Sequence, residues 1–384
     1  MCGNPVGEGA IRVRTILLIV SKIGYTITTM TLTEFSYQAR VALKFGLIFG
    51  ALFGGFVILF VVLLMSIKPV PRKISNIKTV FGKLESPIFE EAQDKKKLSF
   101  FLDTVDGELP IATSEAAIYF IPQKQTTLAY LNKIYAVARG FGFDTDTIKH
   151  EPINETWVKF EDESRLLSID IRTFHYNFHL KGSDVLQNLI EATPEGKFTS
   201  RETEILDKAK ETIRLHEGYT EDLASGKTNI VYVKYDVTNQ TFYPVSSEET
   251  PQAVRIDFFR KDEGTTPVVS PRFYESHNYV VLAPLTQDVR MIAEQYKSFD
   301  KLITQQGVYP IKPIQTVWEE IKANKASIIA LENGYLGKIK VKQIYVAYYD
   351  PEEYQKYFQP IFVVIGDHGY IGYISAIVDS LMIN

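Results

Sequence analysis

Apolar residues run unbroken from Phe45 to Ile67 in "FGLIFGALFGGFVILFVVLLMSI", a stretch with no charge and one serine. A bilayer core of about 30 Å takes roughly 20 helical residues, so the run predicts one membrane-spanning helix over 45–67. Lys44 bounds it on one side and Lys68, Pro69 and Pro71 on the other. A signal peptide's apolar region is shorter, about 7–15 residues, and no small-residue cleavage pattern follows here. Within the span, Gly46, Gly50 and Gly54 recur every fourth residue. That spacing places them on one helical face, and in lipid a face of small residues lets a second helix approach closely. The expectation is that the span self-associates, or docks a partner helix, through these glycines.

Beyond the span the pattern shortens and alternates. "KPVPRK" opens a stiff linker over 68–76, because each proline fixes its own φ and pushes its predecessor to extended geometry. A first unit is expected over 77–190. Its helix runs from about Gln123 to Arg139, with Leu128, Leu131, Tyr135 and Ala138 on one face, and "GFGF" ends it. From Trp157 to Leu180 apolar and polar residues alternate as in a β-meander, with "EDES" as a turn.

Residues 191–384 carry two more such units. At Thr199, "TSRE" reads as a capping box, followed by a buried stripe of Ile205, Ala209 and Ile213 and a C-cap at Gly218. Strands are predicted at "TNIVYVKYD" and "AVRIDFFRK". The third unit has a helix at "IQTVWEEIKANK", then strands at "KVKQIYVAYYD", "QPIFVVIG" and "YIGYISAIV", the last two joined by the tight turn "DHG". Helix plus antiparallel strands, three times over, predicts an α+β fold with helices packed on one face of the sheets. Residues 1–44 form an N-terminal segment. Met30 leads through a short polar stretch straight into the span, so translation is expected to start there rather than at Met1.

The strand ends of "AYYDPEEYQKYFQPIFVVIGDHGYIGYISAIV" (347–378) and of "LHEGYTEDLASGKTNIVYVKYD" with "VRIDFFRK" share one layout. It resembles the extracytoplasmic domains of the YycH and YycI family, membrane-anchored regulators of a sensor kinase, and more broadly PepSY-like modules. The resemblance covers about 200–384 and the single N-terminal span. It implies a non-catalytic protein acting through protein contacts, and it carries over no interface residue.

The chain has 384 residues, a formal net charge of −4 and a pI near 6.0, which gives no electrostatic footprint for nucleic acid. Its 22 tyrosines and 24 phenylalanines demand a packed core. Cys2 is the only cysteine, so an intramolecular disulfide and a cysteine metal cluster are excluded.

Candidate chemistry is sparse. His175 and His179 in "HYNFH" sit about 13 Å apart if on a strand, too far to share a zinc ion. No Gly-rich phosphate loop and no nucleophile elbow is present, and the glycines of "GFGFD" are wrongly spaced for a dinucleotide. The acidic runs "EDE", "SSEE" and "PEE" read as solvated loops. Trp157 and Trp318 lie in periodic segments and read as core. No catalytic, cofactor-binding or metal residue is expected. The loop "PVVSPRFYESHNYVV" mixes proline, aromatic and polar residues on what should be a rigid scaffold. It is the expected partner contact through Pro271, Phe273, Tyr274, His277 and Tyr279.

Charge flanking the span favours a cytoplasmic C-terminal part, with Lys68, Arg72, Lys73 and Lys78 against Arg40 and Lys44. Long domains translocate regardless of such charge, and the resemblance places this one outside. The expectation is a single-pass protein of the cell (inner) membrane with an extracytoplasmic α+β domain, active in envelope regulation or assembly. Its partners would be the membrane and other membrane or envelope proteins. The alternatives are an envelope hydrolase or peptidase, and a cytoplasm-facing subunit of a membrane complex.

Overall fold

The computed structural model describes residues 77–383, apart from 92–97, 183–200, 217, 237, 240, 246–248 and 286–287, together with Phe53 and Gly55. The chain divides into two compact units, Met1–Ile74 and Ser75–Asn384. Gly46, Gly50 and Gly54, the start at Met30, the linker 68–76 and Thr199 of the capping box lie outside the described residues. So does the span 45–67, Phe53 and Gly55 excepted.

The second unit opens with β1 (Leu84–Glu85), β2 (Ser99–Leu102) and β3 (Glu115–Phe120), followed by helix α1 (Tyr130–Gly140). Four strands come next: β4 (Glu151–Pro152), β5 (Trp157–Glu161), β6 (Arg165–Asp170) and β7 (Tyr176–Leu180). Helices α2 (Glu202–Leu215) and α3 (Glu221–Ala224) lead into β8 (Thr228–Asp236), β9 (Thr241–Pro244) and β10 (Ala253–Phe258). Then follow β11 (Val268–Val269), β12 (Tyr279–Pro284), β13 (Val289–Tyr296) and β14 (Leu302–Pro310). Helix α4 (Ile314–Lys322) precedes β15 (Ser327–Ala330), β16 (Lys338–Tyr349) and β17 (Tyr357–Phe358). The chain closes with β18 (Pro360–Gly366), β19 (Ile371–Ser375) and β20 (Met382–Ile383).

These strands build a nine-stranded sheet, β4-β5-β6-β7-β13-β12-β10-β8-β9, antiparallel throughout. A second sheet, β11-β16-β18-β19-β15, takes β2 alongside β16, and a third is β14-β3-β17. β1 pairs with β20 in parallel.

Alternation explains the meander: Val158, Phe160, Leu167, Ile169 and Phe178 turn inward, with Asp162 capping the turn "EDES" by accepting from the amides of Ser164 and Arg165. In α2, Ile205, Ala209 and Ile213 are buried against β10 and β12. The β18–β19 hairpin turns on His368 and Gly369, φ +53° and +65°, two consecutive left-handed residues as a type I′ turn requires.

Two expectations are corrected. The α+β fold of three PepSY/YycI-like repeats gives way to a mainly β molecule, with twenty strands and four α-helices among the described residues. Hydrogen bonding is the reason. β7, in the first expected unit, finds its partner in β13, far along the chain, so strands of different units merge into one sheet instead of closing separate ones. The expected membrane-spanning helix is not found either: among the described residues no helix is long and apolar enough to cross a membrane. The longest, Glu202–Leu215, has 14 residues, rises about 21 Å and carries charge along its exposed side.

The face of the first helix also differs. Residues 123–129 are not helical, α1 starts only at Tyr130, and Ile134, Val137 and Ala138 are its buried residues. Leu128 and Leu131 are exposed.

One buried carboxylate ties both long helices to the nine-stranded sheet. Tyr176 donates to Glu294 Oε1 at 2.6 Å, and His216 Nδ1 lies 2.8 Å from Glu294 Oε2. His216 follows the last turn of α2 and stacks at 3.6 Å on Phe141, which follows the last turn of α1. Both helix ends therefore converge on Glu294.

Candidate functional site

Four loops meet at one side of the nine-stranded sheet: the segment after β3, the β6–β7 turn, the β13–β14 connection and the loop before β17. Between them lies a cleft of about 80 Å³. Each wall has a local cause. In the β6–β7 turn Asp170 Oδ1 accepts from the amides of Arg172 and Thr173, at 2.8 and 3.0 Å, and Phe174 adopts φ +61° to close it. His175 then points inward, its Nε2 2.8 Å from the Ser298 carbonyl and 3.1 Å from the Ser298 amide. Burial pulls the imidazole down to about 4, against the opposing pull of Ser298 and Asp170, so the ring is neutral at pH 7.

The charged groups of the cleft engage one another. Lys297 Nζ donates to Glu352 and Glu353, each at 3.0 Å. Burial works against the charge of Lys297, but the two carboxylates outweigh it and hold its pKa above the usual lysine value. Glu352 is held low in turn, the Lys297 charge overcoming its burial. Lys124 reaches Asp300 at 3.0 Å and Arg172 reaches Asp170 at 3.3 Å. Trp157, Phe299 and Tyr354 supply the aromatic walls.

A second, more open cleft of about 420 Å³ adjoins the first, sharing Gln123 and Tyr354 with it. Phe120 and Tyr357 of the third sheet line it. Across it Gln355 clamps the main chain of residue 88, accepting from the Ile88 amide at 3.2 Å and donating to its carbonyl at 2.9 Å.

Behind the small cleft a buried ion cluster joins the sheets. Arg260 donates to the Phe299 carbonyl at 2.9 Å, to Asp350 at 3.1 Å and to Asp222 at 2.9 Å. Lys301, paired with Glu263, is drawn down to about 8, chiefly by burial and then by the Arg260 charge.

The loop 267–281 does not present its residues together. Pro271 and His277 are buried, with His277 Nε2 3.4 Å from Asp350 Oδ2. Phe273, at φ +59°, packs on the second sheet, and Tyr279 belongs to β12 with the Arg255 guanidinium 4.1 Å over its ring. Tyr274 alone of the five is exposed, edge-on to Phe273 at 4.8 Å.

His179 lies within β7, and among the described residues no group of three histidine, cysteine or carboxylate side chains is placed to hold a metal. The cleft leaves no local signal in the sequence because its residues come from four separate loops and the start of β5. Trp157 lines the cleft where core was expected, and "PEE" holds the half-hidden Glu352 where a solvated loop was expected.

No family model matches the chain, and no curated protein matches it. Among solved structures it is similar to an uncharacterized protein from Eubacterium rectale, at 11% identity over 68% of this chain and 82% of that one. The TM-score of 0.29 is too low to carry an argument about fold or function.

Proposed function

We propose that this is a non-catalytic protein that works by binding another protein, with the paired clefts as its contact surface. The size of the small cleft carries this reading. Sites for free small molecules run to about 300–1,000 Å³, well above the roughly 80 Å³ of the small cleft, and the wider cleft beside it, which reaches that size, is the more open of the two. Interfaces are anchored by single side chains seated in such pockets, and the broad neighbouring cleft gives flanking residues a place to lie. The chemistry of the walls agrees: each lysine is engaged by carboxylates and His175 is locked to Ser298, so the groups are arranged to hold shape and charge.

A photo-crosslinking residue at Gln123 or Tyr354, in the full chain in its own cells, should form an adduct with one defined protein. The same residue at Tyr243, on the edge strand β9, should not. Equal adducts from all three positions, or none from the clefts, would overturn the proposal.

A further inference from the structure

We infer that the small cleft is a socket for a lysine or arginine side chain carried on an extended segment of the partner, an inference that rests on the binding reading above. Four carboxylates line the cleft (Asp170, Asp300, Glu352, Glu353) against three cations (Lys124, Arg172, Lys297). The cations are the more fully engaged. Lys297 is 13% exposed and shared by two carboxylates, and Arg172 is bonded to Asp170. Arg172 Nε has no partner, but it is shut off from solvent and does not meet an incoming acceptor.

Acceptor capacity, by contrast, faces outward. Glu353 is 81% exposed and Asp300 63%, and a single lysine contacts each at the mouth. An ionised carboxylate has about four acceptor positions, so both can take a further donor. Lys124 is also half-exposed, which makes a carboxylate the competing occupant.

The walls decide between them. Trp157, Phe299 and Tyr354 line the cleft with aromatic carbon, which packs on the alkyl stem and attracts the cationic head of lysine or arginine, whereas the short, strongly hydrated stem of a carboxylate gains less from such walls. Beyond the socket, Gln123 is exposed, and its carboxamide offers one donor and one acceptor to a passing peptide group. Further along, the wider cleft continues past Gln355 and Lys356, giving the residues that flank the basic side chain room to lie. These features fit a partner segment in extended form, with one basic side chain turned down into the socket.

The chain has two tryptophans, one in the socket and the other, Trp318, in α4, so 5-fluorotryptophan labelling gives a probe and an internal control. The labelled full chain is titrated with a blocked pentapeptide carrying lysine between two pairs of glycines, then with its glutamate and norleucine counterparts. The lysine peptide should shift the Trp157 fluorine resonance saturably and leave Trp318 in place, and the other two peptides should shift neither. The double variant Asp300→Asn, Glu353→Gln, with an unchanged unfolding midpoint, should weaken the lysine peptide by about tenfold or more. A Trp157 response to the glutamate peptide as large as to lysine, or none to lysine at about 10 mM, overturns the inference. Crosslinking to a partner from Gln123 together with a silent lysine titration sinks the basic socket alone, and the binding reading stands.

Discussion

His175 shows at the scale of one residue how burial becomes a dependence on pH. Its pKa falls to about 4 in the folded chain, whereas an unfolded histidine titrates near 6.5. Above pH 6.5 the ring is neutral in both states and contributes nothing to the balance. Between 6.5 and 4 the unfolded chain takes up a proton that the folded chain refuses, so stability drains away as pH falls, by about 3 kcal/mol in full. Unfolding free energies measured from pH 7 to 4 should show this slope, and His175→Gln should reduce it by close to one proton. An unchanged slope would mean that the ring is not held neutral. No pattern around "FHYNFH" announces this, because the partner that seats the ring, Ser298, belongs to a distant loop. The same holds for Glu294, whose bond to Tyr176 arises from the β7–β13 pairing and whose bond to His216 arises from the packing of α2 on the sheet, not from local spacing.

At the scale of elements the two long helices separate what a sequence shows from what it conceals. In α2 the apolar residues at 205, 209 and 213 are spaced for one face, and that face is buried. Around α1 the apolar residues outnumber the places on one face, so periodicity alone selects Leu128 and Leu131, and only the true start at Tyr130 selects Ile134 and Val137. Stability should follow the structure. Ile213→Ala, which leaves a cavity at a fully buried site, should cost about 3 kcal/mol in urea unfolding. Leu131→Ala should change it by less than about 0.5 kcal/mol. Equal losses would return Leu131 to the core. The meander and the "DHG" hairpin were legible for the opposite reason: their partners are neighbours in sequence, and alternation with a turn signal settles both.

At the scale of the whole molecule, the order of the strands in the sheets was not written in any local pattern. A period-2 stretch says that a strand exists and which side is buried, but nothing about its neighbour. Three helix-and-strand stretches therefore read as three repeats, while the molecule joins β7 to β13 and covers the resulting sheet with α1 and α2. Residues 75–190 expressed alone should fail to fold, giving no near-ultraviolet circular dichroism and no cooperative transition. A sharp transition in that fragment would show that the meander and α1 are self-sufficient.

The pairing of Leu84 with Met382, and of β2 with β16, sets a clock for the newly made chain. Synthesis runs at about 5–20 residues per second, so the first strands leave the ribosome about 15–60 s before the last one exists. Until β16 and β20 exist, Leu84, Leu98 and Phe100 lack most of the core in which they end up buried. The core around β1 and β2 closes only once β16 and β20 have been made, and the waiting half is a natural client for chaperones. Removal of β20 would deny β1 its partner, so a truncation just before Met382 should weigh on this fold more than the loss of two strand residues suggests.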